Sequence, residues 1–352
     1  MGQGVDHGGD HGAASGIEMP PRSDAPQRLL VDVGGTQVRF ASQEDATSPL
    51  SHVARYVCRD FDSLADAIFY HLHREGLPTP RRCAIGIATA VTGDHVRMTN
   101  HHWSFSTRAL QSALGAERLL VINDFAALAL SLPVLPAMGP RSTRRVGGGE
   151  AVAGAAMGLV GPGTGLGVSG LLPSEGGGTP VALAGEGGHA TLASYDPEER
   201  AVLDLLHRRF GHVSAERAVS GPGLENLYTA LAELRGLKLA PGEGRSAPAI
   251  TAAALAGEPF SSEVVTMFCA LLGDVAGNVA LTLGARGGMY IGGGIVPRLG
   301  EWFDRSPFRA RFESAGRLTS YLRAIPTFVV HETEQAALLG AGRALDRDLP
   351  TH

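Results

Sequence analysis

Cysteine is scarce: Cys58, Cys83 and Cys269 are the whole complement of a 352-residue chain. An odd, scattered trio excludes a disulfide framework and suits free thiols in a reducing cytoplasm. Long apolar runs are missing as well. None approaches the roughly 20 residues that cross a bilayer, and the N-terminus lacks the basic-then-apolar pattern of a signal peptide, so no membrane association is expected. Positive charge is in deficit, with a net charge of −5, which argues against nucleic acid as a partner. What the chain does have is 44% apolar content, ample for buried cores, and about twice the length of a typical domain. Two domains or lobes are expected.

Residues 1–27 are Gly-, Asp- and Pro-rich with little to bury, and read as a disordered extension. Flexible glycines around His7 and His11 argue against a metal site there. Beyond them, periodicity predicts helices over 64–74, 107–114, 125–132, 197–210, 223–234 and 263–283. Short apolar runs predict strands at 53–57, 83–88 and 119–122. The Pro/Gly/Arg-rich stretch 136–150 reads as a surface loop near a lobe boundary, and 240–248 as a loop between helices. Alternating elements of this kind make an α/β protein.

The glycines cluster with purpose. LLVDVGGTQVRFA (29–41) is a strand, a tight turn and a second strand. It fits neither common phosphate motif: no Lys follows the glycines, and the turn is followed by alternation rather than by a helix. A second copy, MGLVGPGTGLGVSGLL (157–172), aligns Gly163-Thr164 with Gly35-Thr36. A third cluster, GGMYIGGGIVPRL (287–299), is a buried strand opening on Gly292–Gly294. Two matched Gly-Thr hairpins, one at the head of each half, would offer backbone N–H and hydroxyl donors to a polyphosphate from both sides of a cleft. That assigns nucleotide contacts to Gly34, Gly35, Thr36, Gly163, Thr164, Gly165, Gly293 and Gly294. Asp32 lies beside the first turn, placed to hold Mg²⁺ directly or through water.

In VINDFAAL (121–128), Asn123 and Asp124 stand at the carboxyl end of a buried strand, where open α/β sheets bind ligands. An Asx helix cap accounts for one of the two and leaves the other. LAGEGGHATL (183–192) offers Glu186 and His189 around glycines that admit a small ligand closely. A metal is the rival reading, without further ligands at suitable spacing. Glu216, in SAERAVSGPG, reads from its surroundings alone as a solvated helix face.

Taken together, DVGGT, TNHHWSFS, INDFAALA, GPGTGLGV, GEGGH, AERAVSGPGLENLY and GGMYIGGGIVPR resemble, in this order, the bacterial glucokinases of the hexokinase/actin-like superfamily. The similarity runs from about Leu29 to Gly342. It implies a two-lobed α/β actin-like ATPase (ribonuclease H-like) fold with a central cleft, lobes at 28–134 plus 334–352 and at 135–333, and a cytoplasmic homodimer. The implied reaction is phosphorylation of glucose at its 6-hydroxyl by Mg-ATP. By the same resemblance Asp124 is the catalytic base, Asn123, Glu186, His189 and Glu216 hold sugar hydroxyls, and Asp32 is the magnesium-linked acid; Asn100 is chemically suited to join the sugar cluster. The chain departs from the family pattern at Gln37, where Asn is common, and at Thr89-Ala90-Val91, which replaces a Pro-containing turn and is expected to loosen the sugar-side loop. A Cys-rich zinc motif is absent, so zinc is not expected. A non-catalytic sugar sensor and a kinase for another acceptor are the rival classes on the same fold.

Overall fold

The computed structural model describes residues 28–99, 101–174, 180–238 and 244–346. The leader 1–27 with His7 and His11, and Asn100, lie outside the described residues.

The first half is organised around one turn. Strand β1 (Arg28–Val33) turns through Gly34-Gly35-Thr36 and returns antiparallel as β2 (Gln37–Gln43), with β3 (Ser51–Val57) beyond it. Gly34 N–H donates to Gln37 O at 2.9 Å and closes the turn. Helix α1 (Leu64–Arg74) begins at Ser63, whose hydroxyl accepts Asp66 N–H, and leads to β4 (Arg82–Ile87), parallel to β1. A small antiparallel pair, β5 (His95–Arg97) and β6 (Ser104–Ser106), precedes α2 (Thr107–Leu114). Gly115 ends α2 at φ 60°, a left-handed cap that glycine adopts without strain. Strand β7 (Arg118–Asn123) joins β4 in parallel and runs directly into α3 (Asp124–Ser131). The five-stranded order is β3-β2-β1-β4-β7.

The second half repeats this plan. After β8 (Thr143–Val146) come β9 (Met157–Pro162), β10 (Leu166–Leu172) and β11 (Val181–Ala184), the last three antiparallel in sequence. Helices α4 (Pro197–Phe210), α5 (Gly221–Leu234), α6 (Ala247–Leu255) and α7 (Pro259–Leu283) follow. Strand β12 (Met289–Ile291) pairs parallel with β9. Short helices α8 (Val296–Leu299), α9 (Glu301–Arg305), α10 (Phe308–Glu313) and α11 (Thr319–Arg323) lead to β13 (Thr327–Val330) and α12 (Thr333–Leu345). The six-stranded order is β11-β10-β9-β12-β13-β8. Without β8, both sheets are three antiparallel strands continued by two parallel ones, and both carry the glycine turn between the first two strands.

Four sequence expectations need correction. Residues 136–150 are not all loop: β8 lies within them and closes the sheet edge, its Arg144 and Arg145 marking the charged strand that edges favour. The stretch 240–248 already enters α6 at Ala247, with Pro248 in its first turn. Helix α7 starts four residues ahead of 263, because the Glu258 carboxylate caps Phe260 and Ser261 N–H in front of Pro259. By length and composition α7 is also apolar enough to cross a bilayer, with a mean hydropathy of 1.8 over its most apolar window, contrary to the reading of the sequence. Here it is a core helix: Val264, Val265, Phe268 and Leu272 are fully buried against α5, α6 and α10.

The pair α3–α12 places the site. On one face of the first sheet lie α1 and α2, through Ile68, Leu72, Leu110 and Leu114. On the other lie Ala127 of α3 and Leu338, Ala341 and Leu345 of α12. The same two helices touch the second sheet through Leu128, Leu159, Tyr290 and Ala336. Helix α3 is buried on every side from Ala126 to Ser131, which is why its sequence shows little amphipathic pattern. Its close contact with α12 depends on Gly340, where an added Cβ would lie 1.7 Å from Ala127 O.

Candidate active site in the cleft between the two sheets

A cleft of about 730 Å³ opens between the halves. Asp32, Gln37, Arg39 and Arg55 line it from the first sheet, Asp124 and Phe125 from the start of α3, and Gly163 and Thr164 from the second hairpin. Gly293 and Gly294 after β12, the start of α5, the start of α6, and Thr333 and Glu334 of α12 complete the wall. Among the residues singled out in the sequence, Asp32, Asp124, Gly163, Thr164, Gly293 and Gly294 therefore meet in one cavity. Gly34, Gly35, Thr36 and Gly165 belong to the same turns but do not line this cavity.

The chain places Asp124 with care. Asn123 is the helix cap: its Oδ1 accepts Phe125 N–H at 2.9 Å and Ala126 N–H at 3.2 Å, while its amide donates to Thr89 O at 3.3 Å. Asp124 is thus freed from capping, although its Oδ1 also takes Phe125 N–H at 2.9 Å. Gly86 of β4 lets the helix start come close, since a Cβ there would meet Asp124 Cα at 3.7 Å and Ala127 Cβ at 3.3 Å. Phe125 reaches the other half. Its ring lies over Gly161 and Gly167, where added Cβ atoms would come within 2.5 Å and 2.1 Å of it. Those two glycines, paired across β9 and β10, are what let the ring lie against the face of the second hairpin.

Burial shifts both acids upward. The Asp124 carboxyl is pushed up to about 7, mainly by burial, next by the charge of Asp32, with a smaller push from Glu186; backbone N–H groups oppose the rise. Asp32, 7% exposed, is also raised by burial, but Arg39 pulls it back while Glu334 adds to the rise. Arg39 stands opposite Asp32 across the β1–β2 ladder and donates to its Oδ2 at 2.8 Å, and it reaches Glu334 at 2.6 Å. Sequence reading missed Arg39. Alternation in β2 puts it on the same face as Gln37, a usable local signal, whereas Glu334 is 295 residues away and left none.

Three of the proposed sugar residues, Glu186, His189 and Glu216, do not line this cavity and sit in or beside two short turns next to the second hairpin. Glu186 and His189 bracket a 3₁₀ turn, Gly187–His189, and are exposed. Glu216 lies in a second such turn, Ala215–Arg217. Ala215 N–H donates to Ala190 O at 2.9 Å and Thr191 bridges Ser214, so the two turns are tied together. Glu216 is not a solvated surface acid: it is half-buried and its Oε2 accepts Leu166 N–H at 2.8 Å. The loop after β4 is not loose either. Thr89 donates its hydroxyl to Arg97 O at 3.1 Å, meets Thr99 Oγ1 at 3.2 Å, and accepts from Asn123. Gln37 lies on the cleft wall with its Oε1 facing Arg39 Nη2 at 3.5 Å.

The glucokinase family model matches residues 29–348. The chain is 52% identical to a glucokinase from Aromatoleum aromaticum over 93% of its own length and 97% of that protein. It belongs to the glucokinase family. A bifunctional protein glk from Burkholderia pseudomallei is 46% identical over 93% of the chain, which spans 50% of that longer protein. Among solved structures, a glucokinase from an Antarctic psychrotroph superposes with a TM-score of 0.80 at 32% identity, covering 91% of this chain and 98% of that one. The mixed α/β architecture with its several sheets is thus that of glucokinase structures.

Proposed function

We propose that this member of the glucokinase family transfers the γ-phosphoryl group of ATP to the 6-hydroxyl of glucose, giving glucose 6-phosphate for glycolysis. The observation that carries the reading is Asp124: a carboxyl raised to about 7, at the start of a buried helix, in the wall of a cleft shared with a Gly-Thr turn. A base poised near neutral pH accepts the proton of an attacking hydroxyl most effectively. Around it, Thr164, the Gly293-Gly294 strand end and the N-terminus of α5 face the same cavity. Backbone N–H groups and a helix start are what phosphate oxygens require. Glu186, His189 and Glu216, with Asn123 and Asn100, are assigned to the sugar hydroxyls. A wrong epimer would leave such groups unpaired, at about 1–3 kcal/mol each.

The donor set fits Mg²⁺. Asp32 presents a hard carboxylate to the phosphate cavity, with only Oδ2 engaged by Arg39 among the described residues. It is the residue that would hold the ion, directly or through water, and when bound Mg²⁺ neutralises charge on the phosphate oxygens. Arg39 keeps Asp32 oriented and Glu334 keeps Arg39 in place. On the same reading, residues 28–134 with 334–352 form one lobe and 135–333 the other, and the protein acts as a homodimer in the cytoplasm. The test is a coupled assay with ATP and Mg²⁺ over glucose, mannose, fructose and an acyl acceptor, with ³¹P spectra of the product. Glucose should give the highest kcat/KM and a 6-phosphate. Preference for another acceptor, or hydrolysis of ATP without transfer, contradicts the reading.

A further inference from the structure

Glu216 makes a contact that its sugar assignment does not account for. Leu166 is where the Gly163–Gly165 turn enters β10, and it is buried. Its N–H is satisfied by Glu216 Oε2 at 2.8 Å. Gly165 leaves the room for this contact, since a Cβ there would lie 2.4 Å from Oε2. The segment bearing Glu216 is itself braced against the turn. Gly221 N–H donates to Gly163 O at 2.8 Å. Ser220 Oγ donates to Glu216 O at 2.7 Å and accepts Gly223 N–H at 2.9 Å. Leu166 O lies against the Glu186–His189 turn, so close to Gly188 that an added Cβ would come within 2.0 Å of it. Glu216 Oε1 takes no hydrogen bond among the described residues.

We propose that Glu216 is a positioning residue for the nucleotide: through Leu166 N–H it holds the second Gly-Thr turn in its phosphate-binding shape, while Oε1 remains for a sugar hydroxyl. A turn of Gly163, Thr164 and Gly165 has little conformational preference of its own. Without the carboxylate, a buried N–H is left unpaired and the turn must be ordered when nucleotide binds. One carboxylate therefore serves both substrates, and the two binding events are linked through it. The role of Oε1 and the phosphate contact of the turn both rest on the sugar-kinase reading; the hold on the turn stands on the Leu166 contact.

The test is calorimetric titration of Mg-ADP into the sugar-free protein, for wild type, Glu216→Gln and Glu216→Ala. The Gln carbonyl can still accept Leu166 N–H, so its Kd should stay within about twofold of wild type. Loss of the acceptor in Glu216→Ala should weaken Mg-ADP by roughly 5- to 20-fold. Glu216→Asp, one methylene shorter and still charged, should behave like Ala and serves if Ala does not fold. Amide exchange at Leu166 gives an independent readout: protected in wild type and Gln, at least about tenfold faster in Ala or Asp. Wild-type Mg-ADP affinity in both Ala and Asp, or unchanged Leu166 exchange, overturns the proposal. Glucose KM is read separately: if it is unchanged while Mg-ADP binding weakens, the hold on the turn stands and the sugar assignment of Glu216 falls.

Discussion

At Asp124 three effects meet on one carboxyl: burial, the neighbouring charge of Asp32, and the opposing N–H groups at the start of α3. Burial wins and sets the group near 7, which has two consequences of definite sign. As a base it must be ionised, so kcat/KM for glucose should rise with pH along an acid limb centred near 7 and level off above it. A limb centred near 4 would mean that Asp124 is not the titrating base. For stability, the folded state prefers the protonated form. Stability is undiminished below the unfolded pKa of about 4, falls as pH rises toward 7, and stays lowered above it. Asp124→Asn removes that penalty, so its melting temperature should exceed wild type at pH 8 and match it near pH 4; each kcal/mol relieved corresponds to about 1–2 °C in a chain of this length. Melting curves that show no pH-dependent difference count against the buried, raised carboxyl. The sequence already showed an Asn-Asp pair of which a cap explained one member, and the structure makes Asn123 that cap. Glu216 was illegible, because its polar surroundings looked like solvent and its partner Leu166 is 50 residues away.

Among the elements, the joint between α3 and the second hairpin sets the spacing between the proposed base and the proposed phosphate turn. Phe125 spans that joint, over Gly161 and Gly167. Gly167→Ala places a methyl where the ring now lies, an overpacking that costs about 1–3 kcal/mol. The ring must move, and Asp124, its neighbour in the chain, moves with it. A displacement of this kind is expected to lower kcat by about 10²-fold, and Phe125→Leu in the same chain should recover part of it. If Gly167→Ala keeps wild-type kcat, Phe125 does not register the base. Helices were the most legible elements: 64–74, 107–114 and 197–210 match α1, α2 and α4, each having a Ser or Asp cap in view. The charged edge strand β8 was hidden in a Pro/Gly/Arg-rich stretch. Its pairing with β13, some 180 residues on, is a tertiary fact that local composition does not carry.

Over the whole molecule, the two sheets share one plan, and the matched Gly-Thr hairpins were its trace in the sequence. The helix that joins the halves, α12, comes from the far end of the chain and presents Glu334 to Arg39 across 295 positions, beyond any local pattern. The residues proposed to hold the sugar come from both proposed lobes, with Asn123 and Asp124 on one side and Glu186, His189 and Glu216 on the other. A ligand that touches both sides binds a closed form better, and that difference shifts the population. Glucose alone should therefore reduce the radius of gyration in solution scattering, whereas Mg-ATP analogue alone should do so less. The same radius with and without saturating glucose is incompatible with closure on the sugar.

The most direct test of phosphoryl transfer at this cleft is the steady-state kinetics of Asp124→Asn beside wild type, with glucose binding measured independently. Loss of a general base predicts a fall in kcat of about 10²–10⁴-fold, with glucose affinity kept within about tenfold. A variant that turns over at near the wild-type rate would show that Asp124 only begins a helix, and that the proton of the 6-hydroxyl leaves by another route.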